Sequence, residues 1–261
     1  MNGTAGLLAK RKAVILGLDA IGLGIATRFV REGAQIALVD VATTAGLPSG
    51  DGALGAATII PIDDRSGVAV GEATLAATRA LGGLDILVCN FLPAAEPCAL
   101  ERLDAASIDR ALRSVTLTVA AMHAALPALR ESGRGRIVLI GHRYGETVGE
   151  GLGAYNSAAW GLVGLARTAA VEWGQFQIAT NVLLPIARTA EFDAARARRP
   201  QVIDLLVSQL PLRRVGDPTE DIGGAAVFLA SDAVCFVNGQ VVCADGGQQV
   251  AGPVLNPARF A

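Results

Sequence analysis

Short apolar runs and longer apolar or amphipathic stretches alternate along this chain. Residues 13–16, 35–39, 57–62, 86–88, 137–140, 178–184 and 240–243 are runs of strand length, most of them closed by Gly, Asp or Asn. Between them lie stretches of helical length: Gly22 to about Arg31, residues 68–81, about 107–130, about 154–173, 189–210 and 219–230. The strand runs are nearly continuous in apolar residues, which marks strands buried on both faces. Strands alternating with helices predict an α/β fold, a parallel sheet covered by helices on both faces. No internal repeat and no linker interrupts the pattern, so a single domain is expected over residues 1–261.

Composition narrows the picture. Of 261 residues 52% are hydrophobic, only 4% are aromatic and 31 are Gly, which suits helices packed closely on a sheet. The net charge of −2 gives no basic face for nucleic acid. Cys89, Cys98, Cys235 and Cys243 form no C-x-x-C pair and have no His at metal spacing, so reduced thiols and no metal are expected. Lys10, Arg11 and Lys12 directly precede the first strand, with no signal-type apolar region before them. The charge-free stretches 114–129 and 151–166 are shorter than the roughly 18 residues of a membrane span. The expectation is a soluble cytoplasmic protein with no membrane partner.

The first strand leads into Gly17, then Gly22-Leu23-Gly24 at the opening of a helix. A Gly-x-Gly turn after a strand is a weak signal alone. Asp40 strengthens it: it ends the second strand about 20 residues beyond the glycines, where a carboxylate bonds the adenine-ribose hydroxyls of NAD. Asp63 ends the third strand. The competing reading makes Asp40 a simple strand cap.

The segment 135–173 resembles the catalytic stretch of the short-chain dehydrogenases/reductases (SDRs). Tyr155 stands where that family has its catalytic tyrosine. Ala159 replaces the lysine four residues on, His142 the serine thirteen residues before, and Ser114 the active-site asparagine. The family's T-G-x-x-x-G-x-G turn is matched by Gly17 through Gly24, with Leu18 and Asp19 as foreign residues. Its D-x-L-V-N-N-A-G strand is matched by Asp85 through Asn90, with Phe91 and Leu92 in place of the small pair. N-x-x-x-P-G becomes Asn181 through Pro185 with Ile186 for Gly. The tail G-D-P-T-E-D-I, V-F-L-A-S-D and N-G-Q-V-V-C-A-D-G-G is well kept. The resemblance covers about residues 12–247 and implies a Rossmann-like doubly wound sheet.

It also implies chemistry that this chain lacks. A tyrosine with pKa near 10 is only about one part in a thousand ionised at pH 7. The family's lysine, one helical turn away, lowers that pKa and holds the nicotinamide ribose. Ala159 does neither. His142 either hydrogen-bonds Tyr155, acts as a base with a pKa near 6.5, or has no role. Gly17, Gly22, Gly24, Asp40, Asp63 and Asn90 then form a vestigial or weak nucleotide site, and the cofactor expectation is none or weak NAD.

The leading expectation is a non-catalytic SDR-fold subunit. It would assemble with an active SDR dehydrogenase or with itself through helices 107–130 and 154–173, which are apolar on more than one face. His123 would be an interface residue. Heteromeric dehydrogenases of the benzylsuccinyl-CoA β-oxidation type are such pairings. The alternatives are an NAD-dependent oxidoreductase with an atypical site and a cofactor-free enzyme moving a proton with Tyr155 and His142. The segment 189–212, with Arg196, Arg198 and Arg199, resembles the family's substrate lid; its charge suits a CoA ester, or a small carbonyl compound is the substrate, while a solvated helix face is the other reading. Residues 250–261 form a tail that either wraps a neighbour or is disordered.

Overall fold

The computed structural model describes residues 6–41, 54–64, 66–91, 96–142 and 150–251. The strands are β1 (Lys12–Leu16), β2 (Gln35–Val41), β3 (Thr58–Ile62), β4 (Ile86–Cys89), β5 (Arg136–Ile140), β6 (Ala179–Pro185) and β7 (Val241–Ala244). All pair in parallel, in the order β3-β2-β1-β4-β5-β6-β7. The helices are α1 (Ala20–Arg31), α2 (Gly67–Leu81), α3 (Ala105–Ser132), α4 (Gly153–Trp173), α5 (Ala190–Arg198), α6 (Pro200–Gln209) and α7 (Gly223–Ala230). The predicted doubly wound α/β architecture is the one found.

Two apolar layers sandwich the sheet. One carries Val14, Leu16, Leu87 and Leu139 outward against Val70, Leu117, Met122, Leu162 and Val163 of α2, α3 and α4. The other sets Ile15, Leu38, Val88 and Ile140 against Ile25, Phe29, Ile222 and Val227 around α1 and α7. Alternate residues of each strand thus feed opposite layers, as the period of two requires. Cys89 is buried in the first layer, and that burial pushes its thiol pKa up, keeping it neutral. None of the four cysteines is in a disulfide.

Three details depart from the reading of the chain alone. The segment expected as one helical excursion is two helices. Thr189 caps α5 by accepting the Phe192 N–H, and Pro200 opens α6 at a position where its missing N–H costs nothing. The helix expected over 219–230 begins as a wide π turn, Pro218–Ile222, before α7. Among the described residues one helix, α3, is long and apolar enough to cross a membrane by length and composition, since it extends beyond the stretch 114–129 at both ends. In this fold it lies against α2, α4 and β4. No group of metal-ligating side chains occurs among the described residues.

Candidate active site and nucleotide turn

The order β3-β2-β1-β4 reverses direction between β1 and β4, and the crevice beyond the carboxyl ends of those two strands is where such sheets receive ligands. Gly17 leaves β1 there and Asn90 leaves β4. The Gly17 N–H donates to the Val39 carbonyl at 3.1 Å and the Asn90 N–H to the Leu16 carbonyl at 2.9 Å. Gly17 has φ +86°, and a Cβ on it would collide with the Asn90 carbonyl. A Cβ on Gly22 would collide with the Gly17 carbonyl, and one on Gly24 would lie 2.5 Å from the Pro218 carbonyl. The three glycines expected to admit a cofactor are each required by the protein's own backbone.

Asp19 is the N-cap of α1. Its carboxylate accepts the N–H groups of Ile21 at 2.9 Å and Gly22 at 3.0 Å. The Asn90 amide donates to the same oxygen at 2.7 Å and to the Gly17 carbonyl at 3.1 Å. Asp40, expected on a ribose, accepts the Leu18 N–H at 2.6 Å. Leu18 itself is packed against the α1–α7 layer. A dinucleotide's pyrophosphate needs open N–H groups and the positive helix end together. Here both N–H groups face a carboxylate, so the turn as it stands does not fit that group. Asp63 follows β3 and is exposed at the same edge. Phe91 is buried in the α2–α3–α4 layer, and Leu92 lies outside the described residues.

On the other side of the crevice, Tyr155 is buried in the first turn of α4, and His142 lies two residues beyond β5. Their rings meet edge to face, 5.3 Å between centroids at 83°. The structure brings these two predicted residues together. Ala159, one turn further along α4, is 2% exposed and supplies a methyl group where a cation was sought. The Ser114 hydroxyl donates to the Ala111 carbonyl of its own helix at 2.8 Å. Arg143, which follows His142 in the chain, lies outside the described residues.

A cavity of about 310 Å³ opens beside Tyr155, lined among others by Pro97, Cys98, Leu103, Ser107, Arg110 and Gly151. Its wall forms because the Cys98 N–H donates to the Gly151 carbonyl at 2.7 Å, tying the segment after β4 to the start of α4. Sequence reasoning missed Cys98, Ser107 and Arg110, since only this long-range bridge places them beside Tyr155.

The family model described as enoyl-(acyl carrier protein) reductase, of the short-chain dehydrogenase type, matches residues 17–249. The chain belongs to the SDR family. Over 254 residues it is 28% identical to 12alpha-hydroxysteroid dehydrogenase of Clostridium sp., covering 93% of this chain and 98% of that one. It is 32% identical to oxidoreductase UcpA of Escherichia coli K12 over 257 residues, covering 93% and 95% respectively. The solved structure of levodione reductase superimposes with a TM-score of 0.84 at 26% identity, covering 94% of this chain and 99% of that one.

SDRs are NAD(P)-binding oxidoreductases as a family, and the segments of this chain away from the crevice are held by well-formed hydrogen bonds. The Asn181 amide donates to the Val237 carbonyl and its oxygen accepts the Gln240 N–H, both at 2.9 Å, joining β6 to β7. Asp245 accepts the N–H groups of Gly247 and Gln249. Ile186, in place of the family's Gly, donates its N–H to the Ala244 carbonyl at 2.9 Å. In the segment 189–212 Arg196 of α5 pairs with Asp204 of α6 at 2.8 Å, so part of its basic charge is met within the segment.

Proposed function

We propose that this SDR chain is a non-catalytic subunit, built to assemble with an active SDR dehydrogenase or with a second copy of itself. The observation that carries the reading is the pair Tyr155 and Ala159: the phenol is in place and the position one turn on is a buried methyl. At that position the family's lysine supplies a cation that favours the phenolate, and the methyl of Ala159 offers none. Ser114, whose hydroxyl is bonded to its own helix, adds no relay group. The dehydrogenase names of the relatives belong to those proteins.

The outward stripe of α4 supports the assembly half of the reading. It includes Trp160, 48% exposed, Gly164 and Val171, 83% exposed, while His123 is exposed on α3. The stripe also carries the exposed Arg167 and Thr168, and exposed apolar side chains of this size among them support a surface for a partner. Native mass spectrometry of the protein from its host is expected to show this chain with an SDR of intact tyrosine and lysine, or as a homo-oligomer. Tyr155→Phe in this chain is expected to leave the turnover of the assembly unchanged. Turnover by the purified chain alone with NADH, abolished by Tyr155→Phe, would overturn the proposal.

One observation favours a second reading. The edge contact of His142 with Tyr155 beside the cavity suits a cofactor-free proton transfer, with the imidazole as base and the phenol as donor. Turnover without nicotinamide, lost in both Tyr155→Phe and His142→Ala, would establish it.

A further inference from the structure

We infer that Asp19 acts as a built-in anion that closes the nucleotide turn: its carboxylate holds the place at the α1 N-terminus that a phosphate-bearing ligand would need. The inference is separate from the catalytic reading, because a subunit without a proton relay could still hold a dinucleotide.

The geometry carries it. One carboxylate oxygen collects three donors, the N–H groups of Ile21 and Gly22 and the Asn90 side-chain amide, at 2.9, 3.0 and 2.7 Å. Two belong to the helix end and the third comes from β4, so the carboxylate is held on both sides of the crevice. The Asn90 amide also holds the Gly17 carbonyl, which keeps the turn after β1 drawn towards β4. A second carboxylate closes the other flank: Asp40 accepts the Leu18 N–H at 2.6 Å.

A pyrophosphate entering this turn has to displace a carboxylate that is tethered to the site and therefore present at high effective concentration. It also meets like charge at short range, which costs most where water is excluded. Both effects act on anionic ligands and leave a neutral nucleoside untouched. The device is one of exclusion, selecting against dinucleotides and free phosphates alike.

Titration calorimetry of the full-length protein with ADP-ribose and with adenosine tests it. The unmodified protein is expected to show no saturable ADP-ribose binding into the millimolar range. Asp19→Gly is expected to bind ADP-ribose at least about tenfold more tightly, with adenosine unchanged. Asp19→Asn keeps a capping side chain while removing the charge, and is expected to gain in the same direction. Micromolar binding of ADP-ribose by the unmodified protein overturns the inference, as does a folded Asp19→Gly or Asp19→Asn chain with no gain. An Asp19→Gly chain that binds ADP-ribose but shows no Tyr155-dependent turnover leaves the subunit proposal standing. Turnover by the unmodified chain without ADP-ribose binding would sink that proposal and leave this one.

Discussion

The side-chain amide of Asn90 donates to the Asp19 carboxylate at 2.7 Å, joining the end of β4 to the cap of α1. This bond stabilises the turn as well as shutting it. Asn90→Ala removes the donor shared by Asp19 and the Gly17 carbonyl and is expected to cost about 1–3 kcal/mol in urea unfolding. Asp19→Ala loses the cap of α1 and is expected to cost about 1 kcal/mol. Because the two residues touch, the double variant should cost less than the sum.

Gly22 and Gly24 serve packing, so alanine should be harmful at both even in a chain that binds no cofactor. A methyl on Gly22 meets the Gly17 carbonyl, and one on Gly24 lies 2.5 Å from the Pro218 carbonyl and 2.6 Å from its Cβ. Each substitution is expected to destabilise by about 1–3 kcal/mol, read as a lower denaturation midpoint. Gly164→Ala, with nothing within 4 Å of its added methyl in the monomer, is the control and should be neutral or slightly stabilising there.

Much of this was legible in the chain. The seven apolar runs fall on the seven strands to within a residue or two, because the central strands β1, β4, β5 and β6, buried on both faces, need no alternation, while β3 and β7 at the edges are only partly buried. The order of the strands was legible only through the resemblance to SDRs. In the chain Asp19 stands out only as a residue foreign to the family's turn. Its role as a cap rests on a local rule, that Asp favours this position, and on Asn90, which is 71 residues away in the chain. The cavity beside Tyr155 was not legible, since the bridge of Cys98 to Leu152 that shapes it is non-local. Pro200 splits the stretch 189–210 into α5 and α6, because proline cannot continue a helix but readily starts one.

At the amino-terminal ends of the central strands, Asp232 serves two buried arginines, Arg11 at 2.5 Å and Arg136 at 3.3 Å. Burial draws the Arg136 pKa below its ordinary value, the Arg11 charge adds to that, and Asp232 opposes both. Asp232→Ala leaves two buried guanidiniums short of a counter-ion, with Asp85 3.8 Å from Arg11. The Asp232 side chain is itself about half exposed, so the expected loss is about 1–2 kcal/mol by chemical denaturation.

Asp221 provides a pH signature away from the crevice. The Arg214 guanidinium bonds it at 2.5 and 2.8 Å, and its pKa falls from 3.8 to about 2. A carboxylate depressed on folding stabilises the native state above its unfolded pKa, and that contribution fades as pH falls from about 4 to 2. Asp221→Asn should flatten the stability profile across that window, measured by thermal melts at stepped pH. Above about pH 5 the parent and variant profiles should run parallel.

Crystals of the unmodified protein grown with saturating NADH test the central claim most directly. The account predicts electron density for Asp19 on the Ile21 and Gly22 N–H groups, and none for a dinucleotide in the crevice between β1 and β4. An ordered NADH with its pyrophosphate on those N–H groups, Asp19 turned away and the nicotinamide beside Tyr155, would contradict it.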